Sequence, residues 1–183
     1  MIPQTTLTED APMILDATCS YHKVWPKLAT VRIDIRPEVR PDFVMDNTKL
    51  QFPDAFFDRI YYDPPHLFRR SEIKKSAQLY ELFQRFGLWN SREEFLDNLK
   101  GVNKEFHRCL KPSGELHCKF GVGDKSMCLS IDEILAQLTN FEIVRHKTTV
   151  SKSHLKMKNP VHWLTMKPKP SSASSDAAAS EGS

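Results

Sequence analysis

Asp63-Pro64-Pro65-His66 follows directly on the apolar run Phe57–Tyr62. An acid and two prolines at the end of a strand make a stiff, non-helical corner. Each proline fixes its own φ at about −65° and lacks an N–H, and Pro65 also pushes Pro64 out of the helical region. The Asp63 carboxylate and the neighbouring carbonyls are then acceptors held at the mouth of a sheet. Acceptors in that position suit an amino group, and the chemistry they point to is methyl transfer onto nitrogen.

Three further acids have comparable placement. Asp16, Asp34 and Asp46, with Asp63, fall at or just past the middle of four successive predicted strands. In an open parallel sheet, ligands bind at the carboxyl ends of the strands, near the point where strand order reverses. Carboxylates there would meet one ligand carrying hydroxyl and amino donors. Any one acid could equally cap a helix or open a turn; four in succession favour the ligand.

The elements that must position these acids read as an α/β protein. Apolar runs predict strands at Met13–Thr18, Thr30–Arg36, Phe43–Met45, Phe57–Tyr62, Gly114–Phe120, Phe141–Val150 and Val161–Met166, alternating with helix-like segments. Ile73, Ala77, Tyr80 and Phe83 have helical spacing from Glu72. Ser91 with Glu94 forms a capping box before Phe95, Leu99, Val102 and Phe106 on one face. That helix should stop at Leu110, because Lys111-Pro112-Ser113-Gly114 reads as a turn. Ser130 with Glu133 opens a third helix through Leu138. The last two strands lie together and predict an antiparallel hairpin on an otherwise parallel, Rossmann-like sheet with helices on both faces.

Composition sets the bounds. A chain of 183 residues, 40% apolar and 27% charged, fits one domain with a real core. Residues 1–170 are expected to form it, and the Ser/Ala-rich segment 171–183 to be a disordered tail. No apolar stretch approaches the roughly 20 residues of a membrane span, and no secretory signal pattern opens the chain. A cytoplasmic or nucleoid-associated place is expected. The four cysteines, Cys19, Cys109, Cys118 and Cys128, form no C-x-x-C pair; apart from Cys19, which falls in a motif taken up below, they read as small buried hydrophobes rather than metal ligands. Setting aside Asp176 and Glu181 in the tail raises the net charge from +3 to +5. A mildly basic body permits nucleic-acid binding without requiring it.

Taken in order, the motifs resemble class I S-adenosylmethionine-dependent methyltransferases. Met13-Ile-Leu-Asp-Ala-Thr-Cys19 resembles their first motif, Asp34 their ribose-binding acid, and Asp46 with Asn47 the acid that meets the adenine amino group. Asp63-Pro64-Pro65-His66 resembles the catalytic motif of the amino-methylating branch, and Leu110–Gly114 the turn into the fifth strand. Asp16–Cys19, Lys49–Asp54, Asp63–His66 and His162–Leu164 together are most similar to small phage and microbial predicted DNA methylases. The resemblance runs from about Pro12 to Lys167. It implies S-adenosylmethionine as cofactor, held by Asp16, Ala17, Thr18, Cys19, Asp34, Ile35, Asp46, Asn47 and Asp63. Where that family continues into glycines, this chain has Ser20 and Tyr21. A left-handed backbone at either would cost a non-glycine residue about 1–2 kcal/mol.

The implied target is an exocyclic amine of a nucleobase, adenine or cytosine, in DNA rather than RNA. Asp63 and the Pro64 carbonyl would accept both amine hydrogens, with Pro65 stiffening the corner and His66 stacking on an extruded base. Phe68, Arg69, Arg70, Lys152 and Lys156 are candidate substrate contacts, drawn from two basic clusters that should border the same cleft. Trp25, Trp89 and Trp163 read as core rather than base platforms. Two alternatives stay open: methylation of an RNA base or a small molecule, or an inactive cofactor-binding subunit that partners an active one. No room exists for a separate target-recognition domain, so a partner subunit is a further expectation.

Overall fold

A computed structural model describes residues 11–21, 29–65, 68, 87–122, 129–150 and 160–170. They build a seven-stranded sheet from β1 (Ile14–Asp16), β2 (Val31–Asp34), β3 (Phe43–Val44), β4 (Phe57–Tyr62), β5 (Leu110–Gly121), β6 (Phe141–Val150) and β7 (Pro160–Pro168). The strand order is β3-β2-β1-β4-β5-β7-β6. Strands β1 to β5 pair in parallel, and β7 enters antiparallel between β5 and β6. The mostly parallel Rossmann-like sheet with a late hairpin is the architecture expected from the strand pattern. The order reverses between β1 and β4, so a switch point opens at their carboxyl ends.

Helix α1 (Arg92–Cys109) begins where Ser91 caps the Glu94 N–H and buries Phe95, Leu99, Val102 and Phe106. These pack with Leu15, Ile33, Ile60, Tyr62, Leu116, Phe120, Leu164 and Met166 as one core. Helix α2 (Ile131–Leu135) opens on a full capping box between Ser130 and Glu133, and it is shorter than the span through Leu138 that the sequence predicts. Tight turns carry the chain on to Leu138, which is still buried. Arg92 and Glu133 pair between the two helices. The predicted helix from Glu72 lies outside the described residues.

The boundary after α1 differs from expectation. The helix passes at Leu110 straight into β5, with no separate turn. Leu110 pairs with Phe57, and the next pair is Arg59 with Glu115, so Lys111–Gly114 bulge out opposite Asp58. Gly114 is what lets them do so: a Cβ there would lie 2.8 Å from the Leu110 side chain and 3.0 Å from the Asp58 carbonyl. Lys111 closes the bulge by donating to Asp58 Oδ1 at 2.8 Å. The residues thought to form a turn are therefore an irregularity inside a longer strand.

Candidate active site

Every one of the four acids stands at the carboxyl end of a strand. Asp16 is the last residue of β1 and Asp34 the last of β2, while Asp46 follows β3 and Asp63 follows β4. Parallel pairing of β1 with both β2 and β4 sets these ends side by side. The segment after β1 then straddles them. Ala17 N–H donates to the Tyr61 carbonyl at 2.9 Å, Cys19 N–H to the Ile33 carbonyl at 3.2 Å, and Asp63 N–H to the Thr18 hydroxyl at 2.8 Å.

Asp16 is 1% exposed. Its Oδ1 accepts from Thr18 N–H at 3.2 Å, while Oδ2 has no hydrogen-bond partner among the described residues. Burial, helped by the negative charge of Asp63, pushes its pKa up to about 6. A buried carboxylate oxygen without a donor is costly, so it marks a place for a ligand donor. Cys19, next in this segment, is buried at 2% exposure, and burial lifts its thiol to about 12. It is a packed hydrophobe and no nucleophile.

Ser20 is the residue that occupies the left-handed region, with φ of 47°. Its N–H donates to Asp34 Oδ2 at 3.1 Å and its hydroxyl accepts from Arg36 Nη2 at 3.3 Å. Arg36 also grips Asp34 directly: Nε reaches Oδ1 at 3.0 Å and Nη2 reaches Oδ2 at 3.1 Å. The acid expected to hold ribose hydroxyls is thus already bound by a guanidinium fork. Ile35, beside it, is 68% exposed, and Val44 across the end of β3 is 58% exposed. Two apolar side chains in water next to these acids suit the faces of a planar ring. Tyr21 stands 48% exposed.

Asp46 Oδ1 accepts from both the backbone N–H and the hydroxyl of Thr48, at 2.8 and 2.7 Å. Asn47 belongs to a chain of side chains that the sequence did not suggest. Tyr62 hydroxyl donates to Asn98 Oδ1 at 2.7 Å, Asn98 donates to Asn47 Oδ1 at 3.0 Å, and Asn47 donates to the Ala17 carbonyl at 3.4 Å. Burial drives the Tyr62 phenol well above its ordinary pKa, so it stays a donor. Arg108 completes the support, donating to the Leu50 and Phe52 carbonyls and to Asp54 and Glu105. The Lys49–Asp54 stretch is thereby stapled to α1.

At the diproline corner, Asp63 Oδ2 accepts from Lys119 Nζ at 2.8 Å, and its buried Oδ1 has no partner among the described residues. Trp89 Nε1 donates to the Pro65 carbonyl at 2.8 Å, and Pro64 is buried. Trp89 was expected in the core; it packs there against Phe95 while pinning the corner. Phe68, expected at the substrate, packs into the same core, edge-on to Phe95 and bridged to Trp89. His66, Arg69, Arg70, Lys152 and Lys156 lie outside the described residues.

Lys119, Trp89, Asn98 and Arg36 are the neighbours that sequence reasoning missed. Only Arg36, two residues after Asp34, carried a local signal. Among the described residues no group of His, Cys, Asp or Glu is arranged to hold a metal ion, and no helix is long and apolar enough to cross a membrane.

No family model and no curated protein matches this chain in sequence. Solved structures do match in fold. A SAM-dependent methyltransferase from Methanosarcina mazei superposes with a TM-score of 0.58 at 16% identity, over 90% of this chain and 95% of that one. The PH0226 protein from Pyrococcus horikoshii gives 0.55 at 15% identity, over 90% and 85%. The [4+2]-cyclase SpnF gives 0.57 at 14% identity, over 88% and 76%. At such identities the likeness establishes the fold, which methyltransferases and a cyclase share.

Proposed function

We propose that this chain is an S-adenosylmethionine-dependent methyltransferase acting on the exocyclic amino nitrogen of a nucleobase, in DNA. The observation that carries the reading is the buried Oδ1 of Asp63 beside the β1–β4 switch point, which, like Oδ2 of Asp16, has no partner among the described residues. The surroundings fit the cofactor. Asp16 Oδ2 offers an acceptor under the segment Ala17–Ser20, the left-handed Ser20 carries the backbone across the strand ends, and Ile35 and Val44 offer apolar faces. Asp34 fits once Arg36 yields part of its hold. S-adenosylmethionine, when bound, supplies an electrophilic methyl on a sulfonium sulfur that leaves as a thioether.

The chain's own residues then have separable tasks. A conjugated amine is a poor nucleophile because its lone pair is delocalised into the ring. Asp63 Oδ1 and the Pro64 carbonyl accept its two hydrogens and favour a pyramidal nitrogen, which stabilises the transition state more than the ground state. Trp89 fixes the corner through the Pro65 carbonyl, so the acceptors are held in place beforehand. The nitrogen gains a methyl and sheds one proton, to Asp63 or to water. Asp63→Ala is expected to abolish tritium-methyl transfer to DNA while S-adenosylmethionine affinity by calorimetry stays within a few-fold. Equal loss of both would make Asp63 a cofactor ligand instead. A second reading, a cofactor-binding but inactive subunit, is favoured by the Arg36 grip on Asp34; an S-adenosylmethionine-binding chain with no transfer to DNA, RNA or nucleosides would support it.

A further inference from the structure

Resting on that reading of the site, we propose that Lys119 is the positioning residue of the reaction. Its ammonium holds one carboxylate oxygen of Asp63, so that the other oxygen is the one presented to the substrate amine. Lys119 lies on β5 directly past the Tyr62–Cys118 pair, which brings it level with Asp63 at the end of β4. The contact is 2.8 Å, and the two side chains are 20% and 8% exposed. An ion pair this enclosed is shielded little by solvent.

A purely structural pair would be expected to satisfy both carboxylate oxygens, for an unmet buried acceptor is a standing cost. Here Lys119 meets Oδ2 alone, and Oδ1 has no partner among the described residues. Lys119 is itself held. Its Nζ sits 5.5 Å from the ring centroid of Trp163, the residue opposite it on β7, within range of a cation–π contact. The Trp163 indole in turn donates to the Thr149 hydroxyl of β6 at 3.1 Å. Three strands thus aim one cation at one oxygen.

The electrostatic setting explains why a cation is required. Asp16 on β1 faces Asp63 across the switch point, with Asp34 and Arg32 of β2 acting on Asp16, and the Cys118 thiol lies on the β5 side. Without Lys119, nothing would hold Asp63 Oδ2, and either carboxylate oxygen could turn toward the amine. Lys119 holds Asp63 in one orientation; the ammonium accepts no proton from the amine.

The experiment compares wild type, Lys119→Met and Lys119→Arg in tritium-methyl transfer from S-adenosylmethionine to mixed-sequence DNA, with cofactor affinity by calorimetry. Met keeps the aliphatic stem on Trp163 and removes the charge. Lys119→Met is expected to lower kcat about 100-fold. Cofactor Kd should stay within about threefold, and Lys119→Arg should recover about tenfold of the loss, since a guanidinium restores the charge. Unchanged kcat in Lys119→Met, or a loss traced wholly to cofactor affinity, overturns the proposal while leaving the methyltransferase reading intact. Wild type that transfers no methyl to DNA, RNA or nucleosides overturns both. Should Lys119→Met not fold, proton–nitrogen NMR of the wild-type Lys119 ammonium replaces it. Its signal should move on Asp63→Asn, and an unmoved signal overturns the clamp.

Discussion

Asp16 shows what it costs to seal an acid beneath a binding site. Its pKa in the folded chain is raised from 3.8 to about 6, chiefly by burial. The folded state therefore binds the proton more tightly than the unfolded chain, and that contribution is whole below about pH 4 and lost as pH rises through about 6. At about 1.4 kcal/mol per pH unit, the ionised form weighs against folding by about 3 kcal/mol at neutral pH. Asp16→Asn should consequently be more stable than wild type at pH 7.5 by up to that amount, with the gap closing below pH 4. Urea denaturation at the two pH values checks it, and a gap that does not change with pH would contradict the assignment. At this scale the sequence showed the acids, and the site's first motif warned of a left-handed residue, found at Ser20. It did not show their partners. Lys119 is 56 residues from Asp63 and Asn98 is 51 from Asn47, separations that only strand pairing and helix packing bring together.

Helix α1 couples the core to the Asp46 side of the candidate site. Its apolar face was legible from spacing alone, because Phe95, Leu99, Val102 and Phe106 repeat as an amphipathic helix must. Its polar contacts were not, since nothing local says that Asn98 and Arg108 will meet the segment from Asn47 to Asp54. Gly101 marks the tightest contact: a Cβ there would fall 2.7 Å from Thr48 Cβ. Alanine would gain about 1 kcal/mol of helix propensity. The clash costs about 1–3 kcal/mol in a packed interior and outweighs it. Because Thr48 holds Asp46 Oδ1, the displacement reaches the acid proposed to meet adenine. Gly101→Ala is expected to lower Tm and also to weaken S-adenosylmethionine binding several-fold. A drop in Tm with untouched affinity would uncouple the two. The turn expected at Lys111–Gly114 became a bulge for a similar reason, since Leu110 was already committed to pairing with Phe57.

Across the whole molecule, the sequence carried the α/β class and the final hairpin but not the order of the strands, which depends on where β7 inserts. Positive charge belongs to this scale too. Arg145 and Lys147 stand exposed on β6, on the strand that leads into the basic segment holding Lys152, Lys156 and Lys158. Neutralising those three lysines should lower the slope of log affinity for DNA against log salt by about 2–3, at close to one per phosphate contact. An unchanged slope would mean that these three lysines contact no phosphate. One feature reaches beyond any single assay. With Arg36 clasping Asp34, any diol that bonded this carboxylate would have to exchange places with a resident guanidinium. Binding there would be a swap between two partners of one acid, which the backbone N–H groups of Ser20 and Arg36 hold as well.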